Sequence, residues 1–208
     1  MSRAVRGFLL AACPLFVLAA CAIGNRVYIS GDLSRPAGAR KPAAAAPQAV
    51  VLDFAYVAEE QGVIGRDFDN VRPVEWKGDP GKAMADLVAG VLAESGVAVL
   101  RAPAESPSLE NVPVRISGTV RRFEVNARRK GGVKIVTEAV VALSVTASGG
   151  GLSSPASMAS TSSNSMEDLF VTPDGLREVL FSSANAAAEE AARRLLDAGV
   201  IAPPSPGK

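Results

Sequence analysis

Few residues in this 208-residue chain could do chemistry, and histidine is absent altogether. That removes His-based triads, His general bases and His metal ligands together. Asp67-Phe68-Asp69-Asn70 begins as a calcium loop begins, but the glycine such a loop requires is missing and Arg72 intrudes. A solvated acidic loop accounts for these residues better. Gly81-Lys82 has part of a phosphate loop, yet Ala83 stands where a magnesium-holding Ser or Thr belongs, and the upstream glycine is missing. A capped helix start explains that pair. The serines between Ser153 and Ser165 have only Lys130 or Lys134 as a base, and no spacing selects a Ser-Lys dyad. Glu59, Glu60, Asp67 and Asp69 could supply paired carboxylates for glycoside cleavage. They share one loop, with only Tyr56, Phe68 and Trp76 as aromatic neighbours. The expectation is no catalytic residue, no metal and no cofactor.

Cys21 is the exception. It follows Leu18-Ala19-Ala20, which closes an N-terminal segment with Arg3 and Arg6 and an apolar run of about 14 residues from Gly7 to Ala20. The run is short of the roughly 20 residues that cross a bilayer, and a plain secretory signal needs no cysteine at its end. The four residues resemble the lipobox of bacterial lipoprotein signal peptides. That resemblance implies cleavage between Ala20 and Cys21, a diacylglycerol on the Cys21 sulfur, and an acylated amine. Two or more chains would anchor the protein durably where one would not. Lipoproteins with Asp after the cysteine often stay in the inner membrane. Ala22 here implies the outer membrane, periplasmic face.

The composition narrows the remaining classes. Cys13 falls within the signal, so Cys21 is the sole cysteine left after cleavage and no intrachain disulfide can form. Loss of Arg3 and Arg6 takes two from the 22 basic residues against 21 acidic ones, a mature charge near −1. Nucleic acid is therefore not an expected partner, because it calls for a positive footprint. Aromatic residues are 5% of the chain, so the core is small and aliphatic.

The elements that must position any site follow from the patterning. Residues 1–20 read as the signal, 21–48 as the lipidated cysteine and a flexible tether, 49–201 as one domain, and 202–208 as a disordered tail. The tether carries one apolar knot, Val27-Tyr28-Ile29, and as a coil would reach roughly 30 Å. Residues 49–57 are apolar on both faces and predict a central strand. A loop follows over 58–79. Asp79-Pro80-Gly81 caps a helix whose stripe is Met84, Leu87, Val88, Val91 and Leu92, and Gly96 ends it. Residues 97–100 form a short strand, which completes β-α-β.

A long hairpin comes next, with arms 112–128 and 133–148 around Arg129-Lys130-Gly131-Gly132. Val133 to Val145 keep one face of the second arm. In the first arm the apolar phase slips between Val120 and Phe123, which predicts a β-bulge near Arg121–Arg122. The matching register would set Phe123 opposite Ala139 and Val120 opposite Val141. Residues 156–166 read equally as a polar edge strand or a loop. Thr172-Pro173 starts a last helix with a stripe of Leu176, Leu180, Ala184, Ala187, Ala191 and Leu195. Glu189–Arg193 and Glu190–Arg194 sit at i,i+4 on its wet side. The fold class is α/β (α+β): a mixed sheet with two helices on one face.

This order of elements is similar to the YajG-like bacterial outer-membrane lipoproteins. The hairpin carries the resemblance, with arms 112–126 and 133–147 around a basic glycine turn. It spans residues 48–199 and the signal, and it brings no catalytic residues with it. A related arrangement occurs in auxiliary lipoproteins of ABC-type lipid transport systems, which supplies a second expectation of function. An envelope hydrolase is a third. The leading expectation is a non-enzymatic interaction module with an envelope protein partner. Its contact residues would be Arg121, Arg122, Arg128, Arg129 and Lys130 along the hairpin, for anionic head groups, lipopolysaccharide or an acidic partner, with the helix-free face of the sheet or the 58–79 loop with an exposed Trp76 as the contact region.

Overall fold

The computed structural model describes residues 26–31, 33, 47–57, 62–68, 71–105, 113–150 and 152–201. The signal segment, Cys21 and the 202–208 tail lie outside them. Two sheets share one core. The larger runs β6-β2-β7-β8-β9, with β2 Ala49–Leu52, β6 Val99–Ala102, β7 Val114–Arg129, β8 Ile135–Gly149 and β9 Ala156–Asp168. β2 pairs in parallel with both β6 and β7, and β7, β8 and β9 are antiparallel. β3, Ala55–Tyr56, continues β2 along β7.

The expected single strand over 49–57 is thus broken. Between Val51↔Ile116 and Ala55↔Thr119 its side holds one residue more than β7. The extra residue turns Phe54 into the core, where its ring lies over Gly118. A Cβ on Gly118 would sit 2.9 Å from that ring.

Helix α1, Pro80–Glu94, starts as its cap requires: the Asp79 carboxylate accepts from the Gly81 N–H at 2.8 Å and the Lys82 N–H at 3.3 Å. All five residues of its predicted stripe are buried. Gly96 takes φ 89° just beyond its end, as a left-handed stop demands. Helix α2, Pro173–Asp197, is capped by Thr172, whose Oγ1 accepts from the Gly175 N–H at 3.0 Å. Its alanines permit close approach to the sheet. Two serines exploit it: Ser160 on β9 donates to the Ala187 carbonyl at 2.8 Å, and Ser183 donates to the Ala139 carbonyl at 3.2 Å. Both helices lie on one face of the large sheet and against each other. On the wet side Arg194 meets Glu190 at 2.6 Å, the expected i,i+4 pair. Arg193 turns instead to Glu190 and Asp197.

The hairpin bulge is where the phase slip puts it. The register shifts between Val120 and Arg122, with Arg121 skipped. The expected partners are displaced by two residues, since Phe123 faces Val141 and Val120 faces Leu143. The turn is longer than the four residues expected, so β8 begins at Ile135 and Val133 leaves the strand for the turn. A shift of two preserves which face each side chain takes, so the core face of the second arm survives from Ile135 to Val145, and only Val133, now in the turn and exposed, is lost from it. Residues 156–166 resolve as strand, within β9. It pairs with β8 over its whole length and forms one edge of the sheet. Its own neighbours occupy part of that edge. Arg194 donates to the Ala159 carbonyl at 2.6 Å, and the Ser165 N–H donates to Asn164 Oδ1 at 2.8 Å.

The 58–79 segment is not a loop. β4, Val63–Asp67, and β5, Arg72–Trp76, form a hairpin within it. The apolar knot of the supposed tether, β1 Val27–Ile29, adds to this hairpin in parallel with β5. The resulting small sheet β1-β5-β4 is a third cover for the helix-bearing face, packed on β7 beside the helices. Gly65 permits the approach. A Cβ there would lie 1.8 Å from the Val125 carbonyl oxygen, and its φ of +153° suits only glycine. The tether expected over 21–48 therefore holds a folded strand.

Candidate functional site

The residues singled out along the hairpin do not form a single patch. Arg121 and Arg122 sit at the bulge. Arg128, Arg129 and Lys130 sit at the turn, about 23 Å further along the strand. At the bulge, Arg122 holds the Glu124 carboxylate with two nitrogens, at 2.6 and 3.1 Å. Both arginines line a cavity of about 390 Å³ floored by Phe123, Ile64 and Tyr56. Burial, with the Glu124 charge second, pushes the Tyr56 phenol above its ordinary pKa.

Trp76 is buried, not exposed. It is 6% accessible and packs at 78° to the Phe123 ring, centroids 5.3 Å apart, and Tyr56 packs at 78° to the same ring at 6.5 Å. The correction has a simple cause. β5 alternates, and its inward positions Val74 and Trp76 face the core under β7. Trp76 is therefore a packing residue.

At the turn the cations are largely paired. Arg128 meets Glu138 at 2.6 Å, Lys130 meets Glu167, and Lys134 lies 3.6 Å from Glu167. Lys130, through a hydrogen bond and then its charge, with Lys134 behind it, holds the Glu167 carboxyl below the ordinary carboxylate range. Arg129 lies over the Phe68 ring, 4.7 Å from its centroid. The two lysines weighed as bases for a serine thus share Glu167. The acidic loop resolves in part. Asp67 is fully buried, and Arg72 grips it at 2.5 and 3.2 Å. Glu59, Glu60 and Asp69 lie outside the described residues. No group of three or more potential metal ligands occurs among the described residues.

Sequence reasoning missed the apolar half of this end. A cavity of about 740 Å³ opens between Phe68, Arg129, Val133, Leu169 and Phe170. Val133 is 76% exposed, Phe170 75%, Val71 62% and Leu169 55%. The readable signal was Leu169-Phe170-Val171, three apolar residues in a row between a strand and the Thr172 cap, where polar residues are usual. The opposite face of the large sheet differs in character. Ser117, Thr119, Ser144, Thr146, Ser157, Thr161 and Ser163 give it short hydroxyl side chains, and Thr146 and Ser157 bond across strands at 2.9 Å.

No helix among the described residues is long and apolar enough to cross a membrane. No family model matches the chain, and no curated protein matches it either. Solved structures do resemble it. A DUF330 protein from Xanthomonas campestris overlaps with a TM-score of 0.52 at 14% identity, over 85% of this chain and 95% of that one. An uncharacterized protein overlaps at 0.48, with 13% identity over 72% and 92%. The PelC dodecamer from Paraburkholderia phytofirmans gives 0.40, with 19% identity over 69% and 87%. The first of these shows a shared fold: two helices laid along one face of a mixed sheet.

Proposed function

We propose that this chain is a bacterial envelope lipoprotein, anchored by acyl chains on Cys21 at the periplasmic face of the outer membrane, that acts by binding a partner rather than by catalysis. The similarity of the hairpin to YajG-like lipoproteins belongs to this reading. One observation carries it: the strand β1 begins at Val27, only six positions after Cys21. A lipid there would hold the domain against the bilayer rather than dangle it on a long tether. The hydroxyl-rich sheet face would stay available to an envelope protein.

The test is Cys21→Ser in the producing bacterium. The native protein should fractionate with membranes and carry the mass of its acyl chains on the N-terminal peptide. The variant should lose that mass and change its fractionation. If mass and fractionation are the same for both, the proposal fails.

A further inference from the structure

We infer that the end of the molecule bearing Val71, Val133, Leu169 and Phe170 is a membrane-docking surface, seated on the anionic phospholipid bilayer that holds the Cys21 anchor. The inference rests on the anchoring proposed above. Its first support is the distribution of exposed apolar side chains. Seven large ones are exposed among the described residues, and four of them gather at this end. Three separate loops supply the four: the β4–β5 turn, the β7–β8 turn and the β9–α2 connection. Apolar groups that converge from three loops on one solvent-facing end are costly unless something covers them.

Charge gives the second support. Arg72, Arg128, Arg129, Lys130 and Lys134 lie in or beside these loops, against Asp67, Asp69, Glu138, Glu167 and Asp168, so five cations meet five anions and no net negative charge opposes an anionic surface. Phe170, Leu169 and the two valines would enter the headgroup region, while Arg128, Lys130 and Lys134, whose pairs with Glu138 and Glu167 are solvent-exposed, would exchange carboxylate for lipid phosphate.

The third support is where the anchor enters. β1 runs parallel to β5 with Val27 opposite Val74, so the N-terminal end of β1, at Arg26, lies toward the Arg72 end of β5. Arg72 lines the same apolar cavity. Arg26 is five residue steps from Cys21, and five fully extended steps span at most about 18 Å. An anchor on Cys21 would therefore be confined to within that distance of Arg26, on the same side of the domain as the apolar tips.

The full-length protein, purified from membranes, is placed in phosphatidylglycerol–phosphatidylcholine vesicles with or without bromine on the acyl chains. Phe170→Trp reports the docking end. Val57→Trp is the control; Val57 follows β3, whose Tyr56 pairs Val120, about 30 Å along β7 from Arg129. The wild type, with its single buried Trp76, sets the baseline. Emission from position 170 should fall at least twofold in brominated vesicles, with position 57 and the wild type unchanged. Acylated protein whose position 170 is unquenched overturns the docking surface and leaves the anchor standing. A blue-shifted but unquenched position 170 also overturns it and points to a second copy or another protein. Absence of acyl mass overturns the anchor itself, and the docking surface with it.

Discussion

Gly65→Ala is the sharpest test of how the small sheet is held. The added Cβ would sit 1.8 Å from the Val125 carbonyl oxygen and 2.7 Å from its carbon, and Gly65 has φ +153°. Relief to about 3.0 Å requires β4 to retreat from β7 by roughly 1.2 Å. Overpacking of this kind costs about 1–3 kcal/mol, and the backbone strain of a side chain at such a φ costs about 1–3 kcal/mol more. The retreat also breaks the neighbouring bond from the Arg66 N–H to Asn126 Oδ1 at 2.8 Å. A loss near 4 kcal/mol lowers the melting temperature by about 8–16 °C for a chain of this size. Gly62→Ala separates the two causes. Gly62 also has positive φ, +79°, but nothing lies within 4 Å of its Cβ, so it should cost only about 1–2 kcal/mol. Urea and thermal unfolding followed by circular dichroism give both numbers. If Gly65→Ala is no more destabilising than Gly62→Ala, the close approach of β4 to β7 is wrong.

Two further perturbations address the end that carries the apolar tips. Arg72→Ala strands the fully buried Asp67 carboxylate without its guanidinium. It should cost about 3 kcal/mol in urea unfolding at pH 7 and much less in the Asp67→Asn background, where no charge is left behind. Glu167 should titrate below the ordinary carboxylate value when followed by NMR. Its folded pKa is depressed, so the stabilising contribution is present above the unfolded value and is lost as pH falls through the folded one. Replacing both Lys130 and Lys134 by alanine should return Glu167 to the ordinary range. No movement would mean that the lysines do not set it.

Local signals governed everything that could be read without the structure. Asp79 and Thr172 mark helix starts because a side-chain oxygen must meet backbone N–H groups two or three residues ahead. The bulge at Arg121 is legible because strand periodicity is two, so a slip of one is visible as a change of face. The same arithmetic hid the register error. A shift of two leaves every face unchanged, so no pattern of apolar residues can report it. The serine-rich β9 was ambiguous for a different reason. Its strand state comes from pairing with β8 and from Ser160 reaching α2, and neither partner is adjacent in sequence.

The chain by itself determined the cap positions, the core face of the hairpin arms and the place of the bulge. Each of these is read from the periodicity or the capping geometry of one continuous segment. Tertiary structure alone decided that Trp76 is buried, that Val27–Ile29 belongs to the fold, and that Val71, Val133, Leu169 and Phe170 share one end. Each of those facts is a meeting between segments far apart in the chain. Backbone closure brings them together, and composition and spacing are silent about which distant segments will meet.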